Sequence, residues 1–125
     1  MRILIPAFLL LLLVSCASAS STAKGDVDPE VQSLATGQLL WSRCQTCHGV
    51  DGRAKTTYGA EHSVPDFTTQ SWRDTRPYDE LVESITNGCG PETAAGTSAM
   101  PSHGELSKEE VRALAVYILS LGEQG

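Results

Sequence analysis

Polar and apolar positions divide the chain into an apolar leader, a polar connector and a stretch with helical periodicity. The leader runs without interruption from Ile3 to Val14, behind a single positive charge at Arg2. It is too short to cross a bilayer and lacks the polar/apolar alternation of a core helix, so it predicts a secretory leader. Residues 17–29 are small and polar and read as a flexible tether. Helical spacing follows. Asp28-Pro29-Glu30 offers an N-cap, a proline at the first helical position and an acidic first turn, with Val31, Leu34, Ala35, Leu39 and Trp41 as the expected apolar face. A second helix opens at Pro77-Tyr78-Asp79-Glu80, carries Leu81, Val82 and Ile85, and stops at Asn87-Gly88. The third begins with a capping box at Ser107-Lys108-Glu109-Glu110 and repeats Val111, Leu114, Ala115, Ile118 and Leu121 up to Gly122. No period-2 strand pattern stands out. The expectation is an all-α fold: a leader at 1–16, a tether at 17–29 and one domain at 30–123.

Chemistry enters at Cys44-Gln45-Thr46-Cys47-His48. Two cysteines separated by two residues, with histidine directly after, form the c-type haem attachment pattern. Each thiol adds to one haem vinyl group, and the histidine then lies under the ring as proximal iron ligand. A redox dithiol would need a βαβ context, and a zinc site a second ligand pair at suitable spacing. Neither is visible, since past the leader only Cys89, His62 and His103 remain as cysteine or histidine donors. The cofactor expected is one covalent haem c.

A six-coordinate iron needs a second axial ligand, and Met100 is the only methionine besides Met1. Pro101 restricts Met100 to extended backbone, which suits a thioether held against a metal. His103 and His62 are the competing donors, and a core-packed methionine is the bland alternative. Metal ligands are therefore expected at His48 and Met100.

The remaining cysteines have separate readings. Leu13-Val14-Ser15-Cys16 resembles a bacterial lipobox, in which Cys16 would be lipidated and hold the domain at a membrane surface. Cleavage after Ala17-Ser18-Ala19 is the alternative. Cys89 is left over, which suggests an inert buried residue, a free thiol or a bridge to a partner or a second copy; the expected state is a monomer, with a Cys89-linked dimer as the variant.

The formal net charge is −6, and losing Arg2 with the leader makes it −7, from nine basic residues less one against 15 acidic ones. Such a surface disfavours nucleic acid and suits a partner with a basic docking face.

The order of helix, Cys44…Cys47-His48-Gly49, a short helix ending at Asn87-Gly88, Met100-Pro101 and a helix bearing Ala115-Val116-Tyr117-Ile118 resembles a small class I monohaem cytochrome c of the bacterial exported type, over residues 31–122. The resemblance implies three to four helices and loops wrapped around one haem, with the first and last helices crossing beside it. It implies a single-electron carrier of the periplasm rather than an enzyme, with redox proteins as donor and acceptor in a respiratory chain. The alternatives are a haem subunit of a larger oxidoreductase, or a sensor or peroxidase-like protein with a labile sixth ligand. It also implies that a proline carbonyl, Pro65 or its rival Pro77, accepts the N–H of His48, and that Trp72, Arg73 or Tyr58 donates to haem propionates. One departure stands out. Gly37 precedes Cys44 by seven residues and Trp41 by three, where the family often has eight and four, which leaves the register of the helix crossing open.

Overall fold

Thirteen residues, Pro29–Trp41, form the first helix, α1, and only Gly37 and Trp41 of it are buried. The expected apolar face packs only through Leu34 and Trp41: Val31 and Leu39 are 56% and 79% exposed, and Ala35 is exposed as well. Gly37 turns the packing stripe toward itself, because its bare Cα meets the last helix, α6 (Lys108–Ser120), where any side chain would collide with the Ala113 carbonyl. Leu34, half-buried, and Leu40, packed on the core, complete that stripe. The crossing of first and last helices is thus built around Gly37 despite the shifted spacing.

The computed structural model describes residues 29–92, 94, 96 and 98–123. The leader, Cys16 and all of the tether but Pro29 lie outside these residues. Between α1 and α6 come three short helices, α2 (Gln45–His48), α3 (Thr57–Glu61) and α4 (Gln70–Asp74), then α5 (Tyr78–Asn87) and a two-stranded antiparallel sheet, β1 (Cys89–Glu92) and β2 (Ser98–Met100). A 3₁₀ turn, Leu121–Glu123, closes the described chain. The short helices and the sheet add to the three helices legible in the sequence. The small β1–β2 ladder carries Met100 although no period-2 strand pattern marks it in the sequence.

Local signals hold where they are strongest. The capping box forms in full: Ser107 N–H donates to Glu110 Oε2 at 2.8 Å and Glu110 N–H to Ser107 Oγ at 3.2 Å. Leu81 and Ile85 of α5 are buried, and Gly88 ends that helix at φ +77°. The core gathers Trp41, Phe67, Ile85, Leu114 and Ile118 between α1, α5, α6 and the loop before α4. Among the described residues no helix is long and apolar enough to cross a membrane.

Candidate functional site

Cys44, Cys47 and His48 belong to one helical turn. Cys47 N–H and His48 N–H both donate to the Cys44 carbonyl, at 3.2 and 2.9 Å. Residues at i, i+3 and i+4 share a helix face, so the turn presents two thiols and an imidazole together. Gly49, at φ +78°, ends it. Two bonds then anchor its carbonyls: Thr56 Oγ1–H donates to Cys47 O at 2.7 Å, and Ala54 N–H to His48 O at 2.9 Å. Trp41 Nε1–H reaches Val50 O at 2.9 Å and ties the same loop to α1.

His48 is wedged among aromatics. Its ring stacks on Phe67 with centroids 4.8 Å apart and planes at 25°, and lies 5.9 Å from Trp41. Burial, and secondarily the nearby His103, lowers its pKa to about 4. At neutral pH the imidazole is therefore uncharged, which is the metal-ligating form. Its Nδ1 is buried and has no hydrogen-bond partner among the described residues. Burial, reinforced by Cys47, pushes the Cys44 thiol up to about 11. A redox dithiol needs the opposite shift, so that alternative loses ground.

Met100 ends β2 opposite Cys89 of β1. The Cys89 thiol donates to Met100 Sδ at 3.6 Å, and the Tyr58 hydroxyl donates to the carbonyl of Ala99. Ser102 Oγ–H adds a bond to Thr86 O at 2.7 Å, so the Met100 segment is held from both sides.

One cavity of about 440 Å³ brings Cys44, Cys47, His48, Met100, Pro65 and Trp72 together. It is also lined by Leu81, Ile85, Leu114 and Ile118, so its wall is largely apolar. A haem fits this donor set: two thiols on one turn, a neutral imidazole with an unpartnered buried nitrogen, a soft thioether and an apolar enclosure. No three His, Cys, Asp or Glu residues cluster as a metal site among the described residues.

The finer expectations fare unevenly. Pro65 lines the cavity, yet no hydrogen bond joins its carbonyl to His48 Nδ1. Trp72 lines it too, with its ring 4.5 Å from Phe67. Arg73 does not line it: its guanidinium lies over Gly122 and donates to Thr68 O at 3.1 Å and Gln70 Oε1 at 2.7 Å. The basic residues that do line the cavity are Arg43, 3.6 Å from Glu105, and Arg76, paired with Glu80. His62 and His103 also reach it. Phe67 carried no sequence signal, because it sits in a loop without periodicity.

A family model described as Cytochrome c matches residues 34–122. The chain is 33% identical over 91 residues to the Cbb3-type cytochrome c oxidase subunit FixP of Bradyrhizobium sp. (strain ORS 278), covering 72% of this chain and 28% of that protein. It is 29% identical over 94 residues to cytochrome c6 of Leptolyngbya boryana, covering 74% of this chain and 96% of that one. The structure of KustC0563 c-type cytochrome superposes with a TM-score of 0.56 at 30% identity, covering 68% of this chain and 95% of that one. The chain thus spans about a quarter of the oxidase subunit's length and nearly all of cytochrome c6.

Proposed function

The chain belongs to the cytochrome c family, and from that premise we propose that it is a single-electron carrier of the cell envelope whose haem c is bound through Cys44 and Cys47 and ligated by His48 and Met100. The bound haem supplies a one-electron ferrous/ferric couple. The observation that carries the assignment is the cavity shared by the Cys44–His48 turn and Met100. Cys44 and Cys47 hold the group covalently. His48, kept neutral by burial and oriented by Phe67, offers an imidazole nitrogen. Met100 offers soft sulfur, which favours the ferrous state and raises the potential. The rival histidines are otherwise engaged: His62 stacks on Tyr58 at 4.0 Å, and the His103 ring lies 3.4 Å from Glu105. With His48 and Met100 both holding the iron, no open site would be left for a substrate, which supports a carrier over a catalyst or sensor.

Pro65 and Trp72 act as supporting wall residues of this cavity. Cys16 carries a lipid that keeps the domain at the periplasmic membrane surface, and the acidic domain docks on basic faces of its redox partners. A second reading, a haem subunit of a larger oxidase, draws on the match to FixP; the near-complete coverage of cytochrome c6 favours the free carrier. Stable co-purification with a larger redox enzyme would favour the second.

The test is an optical spectrum of the matured protein, reduced and oxidised, followed by denaturation in alkaline pyridine. Haem that stays with the denatured chain establishes the thioethers, and a weak red sulfur-to-iron band in the oxidised form establishes Met100. Haem without that band turns the assignment toward His103, His62 or an open site.

A further inference from the structure

We infer that Cys89 is a positioning residue for the sixth ligand, its S–H bond to Met100 Sδ orienting the thioether and raising the reduction potential of the haem. The inference rests on Met100 being that ligand. Register brings the two sulfurs together, since Cys89 pairs directly with Met100 in the β1–β2 ladder and Sγ lies 3.6 Å from Sδ. Both residues line the cavity. The backbone is shaped for this approach: Gly88 and Gly90 flank Cys89 at φ +77° and +89°, and a methyl group on Gly88 would stand 2.6 Å from the Met100 carbonyl oxygen.

A thioether sulfur has two lone pairs. With one accepting the Cys89 hydrogen, the other remains for a metal, and the orientation of the sulfur is fixed. The same bond draws electron density from the sulfur and weakens it as a donor. Ferric iron depends more on that donation than ferrous iron does, so the bond favours the reduced state. S–H donors are weak, so the effect is a tuning of potential and not a condition for ligation. A thiol that merely fills space would leave the potential alone.

The experiment compares holoprotein from wild type, Cys89→Ala and Cys89→Ser by redox titration and by the position of the sulfur-to-iron band. Cys89→Ala is expected to lower the ferrous-over-ferric preference by about two- to tenfold, a fall of up to about 59 mV for a one-electron couple, with the band shifted but kept. Cys89→Ser keeps a donor and should recover most of that fall. Should Cys89→Ala not fold, the folded wild type can be treated with methyl methanethiosulfonate, since Cys89 is exposed. Its thiolate attacks the divalent sulfur, an S–S bond forms and methanesulfinate leaves, so the donor hydrogen is lost; the same downward shift is expected. An unchanged potential and band after both treatments would overturn the inference and leave His48/Met100 ligation standing, as would identical shifts in the Ala and Ser variants. A wild type without the sulfur-to-iron band would overturn both.

Discussion

The Cα of Gly37 is pressed against the Ala113 carbonyl, and a methyl group there would also stand 2.6 Å from Tyr117 Cβ. The α1–α6 crossing is therefore a glycine-to-backbone contact, and it seats Trp41 one turn further along against Tyr117 and Phe67, with centroids 5.9 and 6.2 Å away. Trp41 in turn touches His48. Gly37→Ala must separate the helices or bend one of them, since backbone cannot swing aside as a side chain can. A loss of about 1–3 kcal/mol is expected, read as a lower midpoint in denaturant unfolding of the holoprotein. An unchanged midpoint would mean that the crossing has slack.

Phe67 offers a second test. It is 6% exposed, and its ring stacks on that of His48. Phe67→Ala should cost about 3–5 kcal/mol through the cavity it leaves, while Phe67→Leu, which keeps most of the apolar volume, should cost clearly less. Both should keep covalent haem, because neither thiol is touched. The alanine variant should also broaden the signals of the His48 imidazole in the spectrum of the paramagnetic protein, because the ring loses its stacking surface. Equal stability of the two variants would refute the packing role.

Which parts of this architecture are legible in sequence follows from the range of the interactions. Ser107 and Glu110 cap α6 within a single turn, and Cys44, Cys47 and His48 share one turn, so local spacing suffices for both. Leu81 and Ile85 follow from a helical period. The Cys89–Met100 pairing depends on strand register across an intervening connection, and strands containing Gly90 and Pro91 carry no period-2 pattern. Periodicity misjudged α1 because hydrophobic residues mark a buried face only where the partner leaves room for side chains. Here the partner approaches so closely that glycine occupies the centre and Leu39 points to solvent. The resemblance offers Arg73 as a propionate donor without fixing its position, and its bonds to Thr68 and Gln70 hold it elsewhere.

A third prediction concerns pH. Asp66 Oδ1 accepts from Thr68 N–H at 2.8 Å and Thr68 Oγ1–H at 2.6 Å, bracing the loop that carries Phe67. Desolvation opposes its charge but is outweighed by those bonds together with Arg53 and Lys55, so the carboxyl sits below its ordinary 3.8. A depressed carboxylate stabilises the fold above its unfolded pKa and loses that contribution as pH falls through the folded value. Asp66→Asn should therefore be less stable than wild type at neutral pH, by at most about 0.5 kcal/mol after solvent screening. The gap should close below the ordinary aspartate range. Denaturant midpoints measured across that range decide it, and a gap independent of pH would assign the effect to shape rather than charge.

The backbone beside Met100 gives the sharpest separation of fold from site. Gly88 has φ +77° and ψ 165°, a region that is essentially reserved for glycine. A methyl group there would also stand 2.6 Å from Met100 O and 2.9 Å from Ser102 N. Gly90 is a useful comparison, with φ +89° but only Ala99 Cβ nearby, at 3.4 Å. Backbone strain of about 1–3 kcal/mol falls on both alanine variants, but only Gly88→Ala drives into the segment that presents Met100. Haem should remain attached in both, since Cys44 and Cys47 lie on the separate α2 turn. Gly88→Ala should lose most of the red sulfur-to-iron band, and its reduced form should gain carbon monoxide binding as the sixth position opens. Gly90→Ala should keep the band and stay closed to carbon monoxide. Equal behaviour of the two variants would mean that strain alone, and not the close approach of Gly88 to Met100, governs how the thioether is held.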